Sequence, residues 1–327
     1  MPKKILFLTS TRADFGKLKS LMRAVDLAGE FILHIFVTGM HVLPKYGNTG
    51  DEVEKAGFKS IFKFINQKSN DTMDCILANT IQGLTSYIGL QKPDLLVIHG
   101  DRAEALAGAI VGAFNNILVA HIEGGEISGA IDESIRHSIS KLAHLHFVAN
   151  TEAKQRLLHM GESSANIFVI GSPDLDLMSS DTLPALEEVK RYYEIPFERY
   201  ALFTYHPVSS SLQNLMARSK EIIATLKQSD RNYVAIYPNN DPGSEIIIEQ
   251  LEALRNDKRF RIFPSLRFES FLVLLKHAEF MIGNSSAAVR EAPFYGIRSI
   301  NLGDRQNGRF QCDSIINTPE TAVAILA

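Results

Sequence analysis

The sequence predicts an α/β protein made of two domains, each a doubly wound parallel sheet. Three observations predict it: the chain length, an alternation of short β-rich apolar runs with amphipathic helical patterns, and one stretch where that alternation breaks. At 327 residues, 45% of them hydrophobic, the chain exceeds what one small core holds, so two domains of ordinary size are expected.

The elements follow in order. Two lysines precede a run of only four apolar residues at the start, which reads as a first strand over residues 4–9 and not as a signal peptide. Residues 32–38, 94–99, 118–122, 146–149 and 168–170 read as further strands, with helical patterns between most of them. The longest apolar tract, residues 105–122, is interrupted by Asn115, Asn116 and His121. It reads as helix, turn and buried strand, because a membrane span needs about 20 uninterrupted apolar residues. Residues 173–196, acidic and proline-bearing, break the pattern after Gly171-Ser172-Pro173, which places the hinge between domains 1–172 and 173–327. The second half repeats the scheme with strands over 201–205, 233–237, 260–263, 280–282 and 299–302.

Composition narrows the function. A net charge of -3 gives no broad attraction for nucleic-acid phosphates, so any anion must be held locally. Cys75 and Cys312 lack disulfide-scaffold density and metal-ligand spacing, which fits a reducing, cytoplasmic setting. Neither half carries the glycine pattern of a dinucleotide fold or a P-loop. Ligands of open α/β sheets bind beyond the carboxyl ends of the strands, so the residues after each strand are the candidates.

After the first strand, Ser10-Thr11-Arg12-Ala13-Asp14 leads into a helix: either Arg12 meets a phosphate beside exposed N–H groups, or the helix is simply capped and the arginine solvated. Gly100-Asp101-Arg102 and His121-Ile122-Glu123-Gly124-Gly125-Glu126 follow neighbouring strands and crowd two carboxyl groups into one mouth, where like charge and burial suit proton transfer. Asp132 and Glu133 follow, four residues before Arg136 and His137 on one helical face. In the second half His206 and Asn239 stand at strand ends. Gly283-Asn284-Ser285-Ser286 is a strand, a glycine and two serines opening a helix, which suits an anion or an ordinary serine cap. Glu291, about one and a half turns on, suits a ribose diol, and Arg305 offers a cation after the last strand.

These motifs, with Thr38-Gly39-Met40-His41 and His206-Pro207, run in one order from Thr9 to Arg309 and resemble the hydrolysing UDP-N-acetylglucosamine 2-epimerases. That family includes bacterial sialic-acid and legionaminic-acid pathway enzymes and the epimerase half of the human bifunctional epimerase/kinase. The resemblance implies a GT-B-like fold with a UDP-sugar in the cleft. It assigns the diphosphate to Ser285, Ser286, Arg12 and Arg102, the ribose to Glu291, and the uracil to residues 265–271 around Phe268. Asn239, Arg305 and His206 line nucleotide and sugar, and Asp101, Glu123 and Asp132, with Glu133 beside them, move protons.

The resemblance implies release of UDP through a 2-acetamidoglucal that water then hydrates to N-acetylmannosamine, with no cofactor and no metal. Its partners are the UDP-sugar and water, without nucleic acid or membrane, in a dimeric or tetrameric homo-oligomer. Met40 and Glu126 stand where the non-hydrolysing relatives show glutamine and a Leu-Arg stretch, which points to hydrolysis without activation by a second substrate molecule. The alternatives are the same reaction on UDP-2,4-diacetamido-2,4,6-trideoxyglucose, a non-hydrolysing epimerase or GT-B glycosyltransferase, and an inactive UDP-sugar sensor. The resemblance also implies chains that continue for some tens of residues and cross back to the first domain, so a further tail is expected after Ala327.

Overall fold

The computed structural model describes residues 2–68, 71–128, 131–208 and 212–327. They form two compact units, the first made of residues up to Glu126 together with Ile131–Ser180, and the second of Asp181–Ala327, with which Ile127 and Ser128 group. Among the described residues no helix is long and apolar enough to cross a membrane.

In the first unit the strands are β1 (Lys3–Thr9), β2 (Phe31–Val37), β3 (Ile61–Lys63), β4 (Leu95–His99), β5 (Leu118–Ile122), β6 (Leu145–Val148) and β7 (Ile167–Val169). All pair in parallel, in the order β3-β2-β1-β4-β5-β6-β7. Both faces of such a sheet are covered, so β1 reads as a continuous apolar run: Ile5 and Phe7 enter one core layer, Leu6 and Leu8 the other. The helices are α1 (Arg12–Ala28), α2 (Gly50–Lys55), α3 (Met73–Gln91), α4 (Ala103–Phe114), α5 (Ile131–Leu142), α6 (Thr151–His159) and α7 (Asp174–Met178). The apolar tract of residues 105–122 is the predicted helix, turn and strand, α4 into β5.

The second unit opens with α8 (Leu186–Tyr192) and carries strands β8 (Ala201–Thr204), β9 (Tyr233–Ile236), β10 (Phe260–Phe263), β11 (Met281–Gly283), β12 (Ser299–Leu302) and β13 (Ile315–Thr318). Its sheet is also all parallel, in the order β10-β9-β8-β11-β12-β13. The helices α9 (Leu215–Gln228), α10 (Ser244–Glu252), α11 (Phe268–Lys276), α12 (Glu291–Phe294) and α13 (Ala322–Leu326) complete it. The two faces of this sheet again hold separate core layers.

Two features differ from the sequence reading. The units divide after Ser180, not after Ser172, because α7 packs on α1 and Asp174 reaches the Lys17 ammonium at 3.3 Å. The edge strands β3 and β13 are additional.

In each sheet the strand order reverses once, between β1 and β4 and between β8 and β11. Chain leaving neighbouring strands at such a point turns to opposite faces and leaves a crevice at the carboxyl ends. The candidate residues after β1, β4, β8 and β11 stand at these two points.

Candidate active site

In the first unit, β1 ends at Thr9 and α1 begins at Arg12, with Thr11 as its N-cap. The cap is a closed capping box. The Asp14 carboxylate accepts from the Ser10 N–H at 2.9 Å, the Ser10 hydroxyl at 2.9 Å, the Thr11 N–H at 3.2 Å and the Thr9 hydroxyl, while the Thr11 hydroxyl accepts from the Asp14 N–H at 3.1 Å. The ordinary capped-helix reading therefore holds for the backbone. It fails for the arginine, which is mostly buried and donates to Glu52 at 2.7 Å.

The same network reaches His41. Its Nε2 lies 3.0 Å from the Thr9 hydroxyl and its Nδ1 2.7 Å from that of Thr49. Burial lowers its pKa to about 4, against the smaller opposing pull of Asp14, so the ring is neutral. Met40 beside it is buried against Leu43 and Tyr46.

After β4 and β5 the carboxyl groups take separate partners. Asp101 is paired with Arg136, which also donates to the Glu126 carbonyl at 2.9 Å. Arg136 is itself buried and sits on α5, whose first turn holds Asp132 and Glu133. Glu126 accepts from the Asn150 amide at 2.8 Å. Arg102 caps α4, with its Nε 3.4 Å from the fully buried Glu104.

Glu123 is the most constrained of them. It is 4% exposed and has a left-handed backbone, φ 61°, rare for a residue with a side chain. Its Oε2 lies 3.3 Å from the Lys17 ammonium and 3.1 Å from His99 Nε2, and its Oε1 accepts from the Ser172 hydroxyl. The turn around it is held by His121, whose Nε2 meets the Gly100 carbonyl at 2.8 Å and whose Nδ1 meets the Ser140 hydroxyl at 3.0 Å. Burial lowers the His121 pKa to about 3, so this ring too is neutral.

In the second unit the organising residue is Asn284, fully buried after β11. Its carboxamide clasps the backbone of His206, accepting from the N–H at 2.6 Å and donating to the carbonyl at 2.8 Å. Its own carbonyl receives Gln306 at 2.7 Å and Arg305 at 3.2 Å. The ends of β8, β11 and β12 are thereby tied together, and β9 joins them because the Asn239 N–H donates to His206 Nδ1 at 3.1 Å. An Nδ1 that accepts in this way leaves the ring proton on Nε2.

The serines depart from expectation. Ser285 and Ser286 do not open a full helix: residues Ser286–Ala288 make a 3-10 turn, capped by the Ser285 hydroxyl at 3.4 Å, and α12 begins only at Glu291 and lasts four residues. The aligned dipole expected there is consequently short. Glu291 is buried at the start of α12, and Phe268 is buried at the start of α11, its ring stacked with Phe271.

Sequence reasoning assigned no role to Lys17, Asp174 and Glu104, nor to His99, Ser172 and Asn284 within the motifs that contain them. A lysine on the inward face of an amphipathic helix was the one visible signal, since the buried residues of α1 include Lys17. Among the described residues no group of three His, Cys, Asp or Glu side chains is arranged to hold a metal.

Two parallel sheets, each with its polar side chains gathered where the strand order reverses, define an α/β protein of the GT-B-like class. The chain belongs to the UDP-N-acetylglucosamine 2-epimerase family, whose profile matches residues 23–327. It is 51% identical over 316 residues to the UDP-N-acetylglucosamine 2-epimerase of Neisseria meningitidis serogroup B, covering 97% of this chain and 84% of that one. To the UDP-N,N'-diacetylbacillosamine 2-epimerase (hydrolyzing) of Legionella pneumophila it is 34% identical, over 100% of this chain and 88% of that one. Among solved structures, UDP-GlcNAc 2-epimerase from Neisseria meningitidis bound to UDP-GlcNAc superposes with a TM-score of 0.79 at 18% identity, covering 99% of this chain and 89% of that one.

Proposed function

We propose that this protein is a hydrolysing UDP-N-acetylglucosamine 2-epimerase, which converts UDP-N-acetylglucosamine and water to N-acetylmannosamine and UDP. The observation that carries the reading is Glu123: a buried carboxylate on a left-handed backbone, gripped by Lys17, His99 and Ser172. Strain and burial of this kind gather at functional sites.

The C2 proton of the sugar is not adjacent to a carbonyl carbon, so its removal is coupled to departure of UDP. The C1–O bond breaks with its electron pair on the diphosphate, the C2–H proton passes to a carboxylate, and the C2–H pair becomes the C1–C2 double bond of a 2-acetamidoglucal. Water then adds its hydroxyl to C1, and a proton reaches C2 from the opposite face. Two proton transfers on two faces account for several carboxyl groups, and we assign them to Glu123 and Asp101, supported by Asp132 and Glu133. Arg12, Arg102, Ser285 and Ser286 hold the diphosphate, with Arg305 and Asn239 beside it. Glu291 holds the ribose and Phe268 the base, while the His206 Nε2 proton faces the leaving phosphate. N-Acetylmannosamine is a precursor for nonulosonic acids, sialic acid among them.

Two residues favour hydrolysis. Met40 is buried with Leu43 and Tyr46 and offers a second substrate molecule no amide, and the Glu126 side chain is occupied by Asn150. The 34% identical relative named as hydrolyzing supports the same choice, and keeps the diacetamido sugar as a second substrate to test.

The test is incubation with UDP-N-acetylglucosamine in deuterium oxide, followed by proton NMR, with the diacetamido UDP-sugar in parallel. Free N-acetylmannosamine carrying deuterium at C2, with one UDP per sugar, is expected. UDP-N-acetylmannosamine as product would make the enzyme non-hydrolysing. Release of UDP only with an added acceptor would make it a transferase, and binding without turnover would make it a sensor.

A further inference from the structure

Glu123 is not the only anion that meets Lys17. Its Nζ lies 3.3 Å from Glu123 and 3.3 Å from Asp174, and the side chains of Lys17, Glu123 and Asp174 are 10%, 5% and 2% exposed. The groups come from four places in the fold: Lys17 from α1, Asp174 from α7, Glu123 from the turn after β5, and His99 from the end of β4 with its Nε2 3.1 Å from Glu123. Ser172 adds a hydroxyl to the other oxygen of Glu123.

We propose that Asp174 is a positioning residue for Glu123, acting through Lys17: it keeps the lysine charge compensated when Glu123 takes up a proton. The argument is one of charge balance. A buried ammonium facing Glu123 alone would form a neutral pair, and protonating that carboxylate would strand the ammonium without a counter-charge, which is costly away from water. Such a pairing makes a carboxylate a weak base. With Asp174 present, the Lys17, Glu123 and Asp174 side chains together carry one negative charge in excess before proton transfer and none after it. When the C2–H bond breaks and the Glu123 O–H bond forms, the C2–H pair becomes the C1–C2 double bond, the C1–O pair leaves with UDP, and Lys17 turns wholly to Asp174. The ammonium thus orients Glu123 without neutralising it as an acceptor.

The proposal rests on the hydrolysing reading only for the source of the proton, so its main test does not need substrate. Carbon NMR of protein labelled at the glutamate carboxyls, with the Glu123 resonance assigned by Glu123→Gln, follows the titration midpoint of Glu123 directly. In Asp174→Asn the midpoint falls by about one pH unit, and Asp174→Glu restores it. Should the asparagine variant not fold, Asp174→Ser carries the same expectation.

In the turnover assay Asp174→Asn lowers kcat about fivefold or more, leaves KM within about twofold, and moves the acid limb of the rate profile to lower pH. An unmoved midpoint overturns the proposal, as does a loss of rate that only follows loss of folded protein. A wild-type protein that releases no UDP defeats the proposed function, while the titration still decides the role of Asp174.

Discussion

The chemistry of this protein turns on single side chains whose partners lie far away along the chain. Glu123 stands out in the sequence, because an acid that follows a buried strand and precedes two glycines belongs at a sheet end. Its partners were not legible: Lys17 lies 106 residues away and Ser172 49 residues away. No local pattern links such positions. Asp101 shows the opposite case, a predicted acid that the fold joins to Arg136 from α5. Glu123→Gln keeps the size and much of the hydrogen bonding but cannot accept a proton. Its kcat for UDP release should fall about a hundredfold or more, with the thermal midpoint close to wild type. Unchanged turnover would remove Glu123 from the scheme.

At the scale of elements, two junctions organise the strand ends, one in each unit. The first is the start of α1, where Asp14 collects donors from Thr9, Ser10 and Thr11. Asp14→Ala leaves those buried donors without an acceptor and should cost about 2 kcal/mol or more of stability, visible as a lower urea midpoint. The second is Gly283, where φ is 136° and an added Cβ would sit 1.9 Å from the Thr204 carbonyl oxygen. That contact is backbone, so Gly283→Ala must push β11 away from β8 and loosen the Asn284 clasp on His206. A loss of about 3 kcal/mol is expected, together with weaker UDP binding by calorimetry; a fully stable alanine variant would contradict it.

Eleven of the described strands were legible as apolar runs, most of them because both faces of a parallel sheet are buried; the edge strand β7 shows its run although Phe168 and Val169 are exposed. The two that were not, β3 and β13, are edge strands of three and four residues: Phe62 and Ile316 are exposed, and the apolar signal is correspondingly short. Ser285 and Ser286 misled in another way. The residues that follow them suit a helix locally, but the chain makes a 3-10 turn and then starts α12 afresh at Glu291.

Across the whole molecule, acid should be more damaging than the carboxylates alone predict. His41 and His121 are fully buried and their pKa values are lowered from 6.5 to about 4 and about 3, by burial first in each case. The sign follows directly. Between pH 6.5 and these lower values the unfolded chain binds protons that the folded one refuses, so the stability they confer is complete above the unfolded pKa and is lost as pH falls towards the folded values. Denaturant midpoints measured from pH 7 downward should start falling below about pH 6.5, each histidine contributing up to about 1.4 kcal/mol per pH unit. A midpoint flat to pH 5 would show that these rings are not buried neutral in solution.

The sequence by itself determined the class of fold, the order of the strands along the chain and the strand ends where polar groups gather, because these follow from local periodicity and turn chemistry. Only the tertiary structure decided which groups meet. Strand order is set by crossovers, and crossovers bring Lys17, His99 and Asp174 to Glu123, and Asn284 to His206. The same packing put α7 with the first unit, since a helix belongs with the surface that its side chains bury and not with the nearest break in sequence pattern. Burial then decides which of the many ionisable residues matter, and burial is a property of the assembled chain.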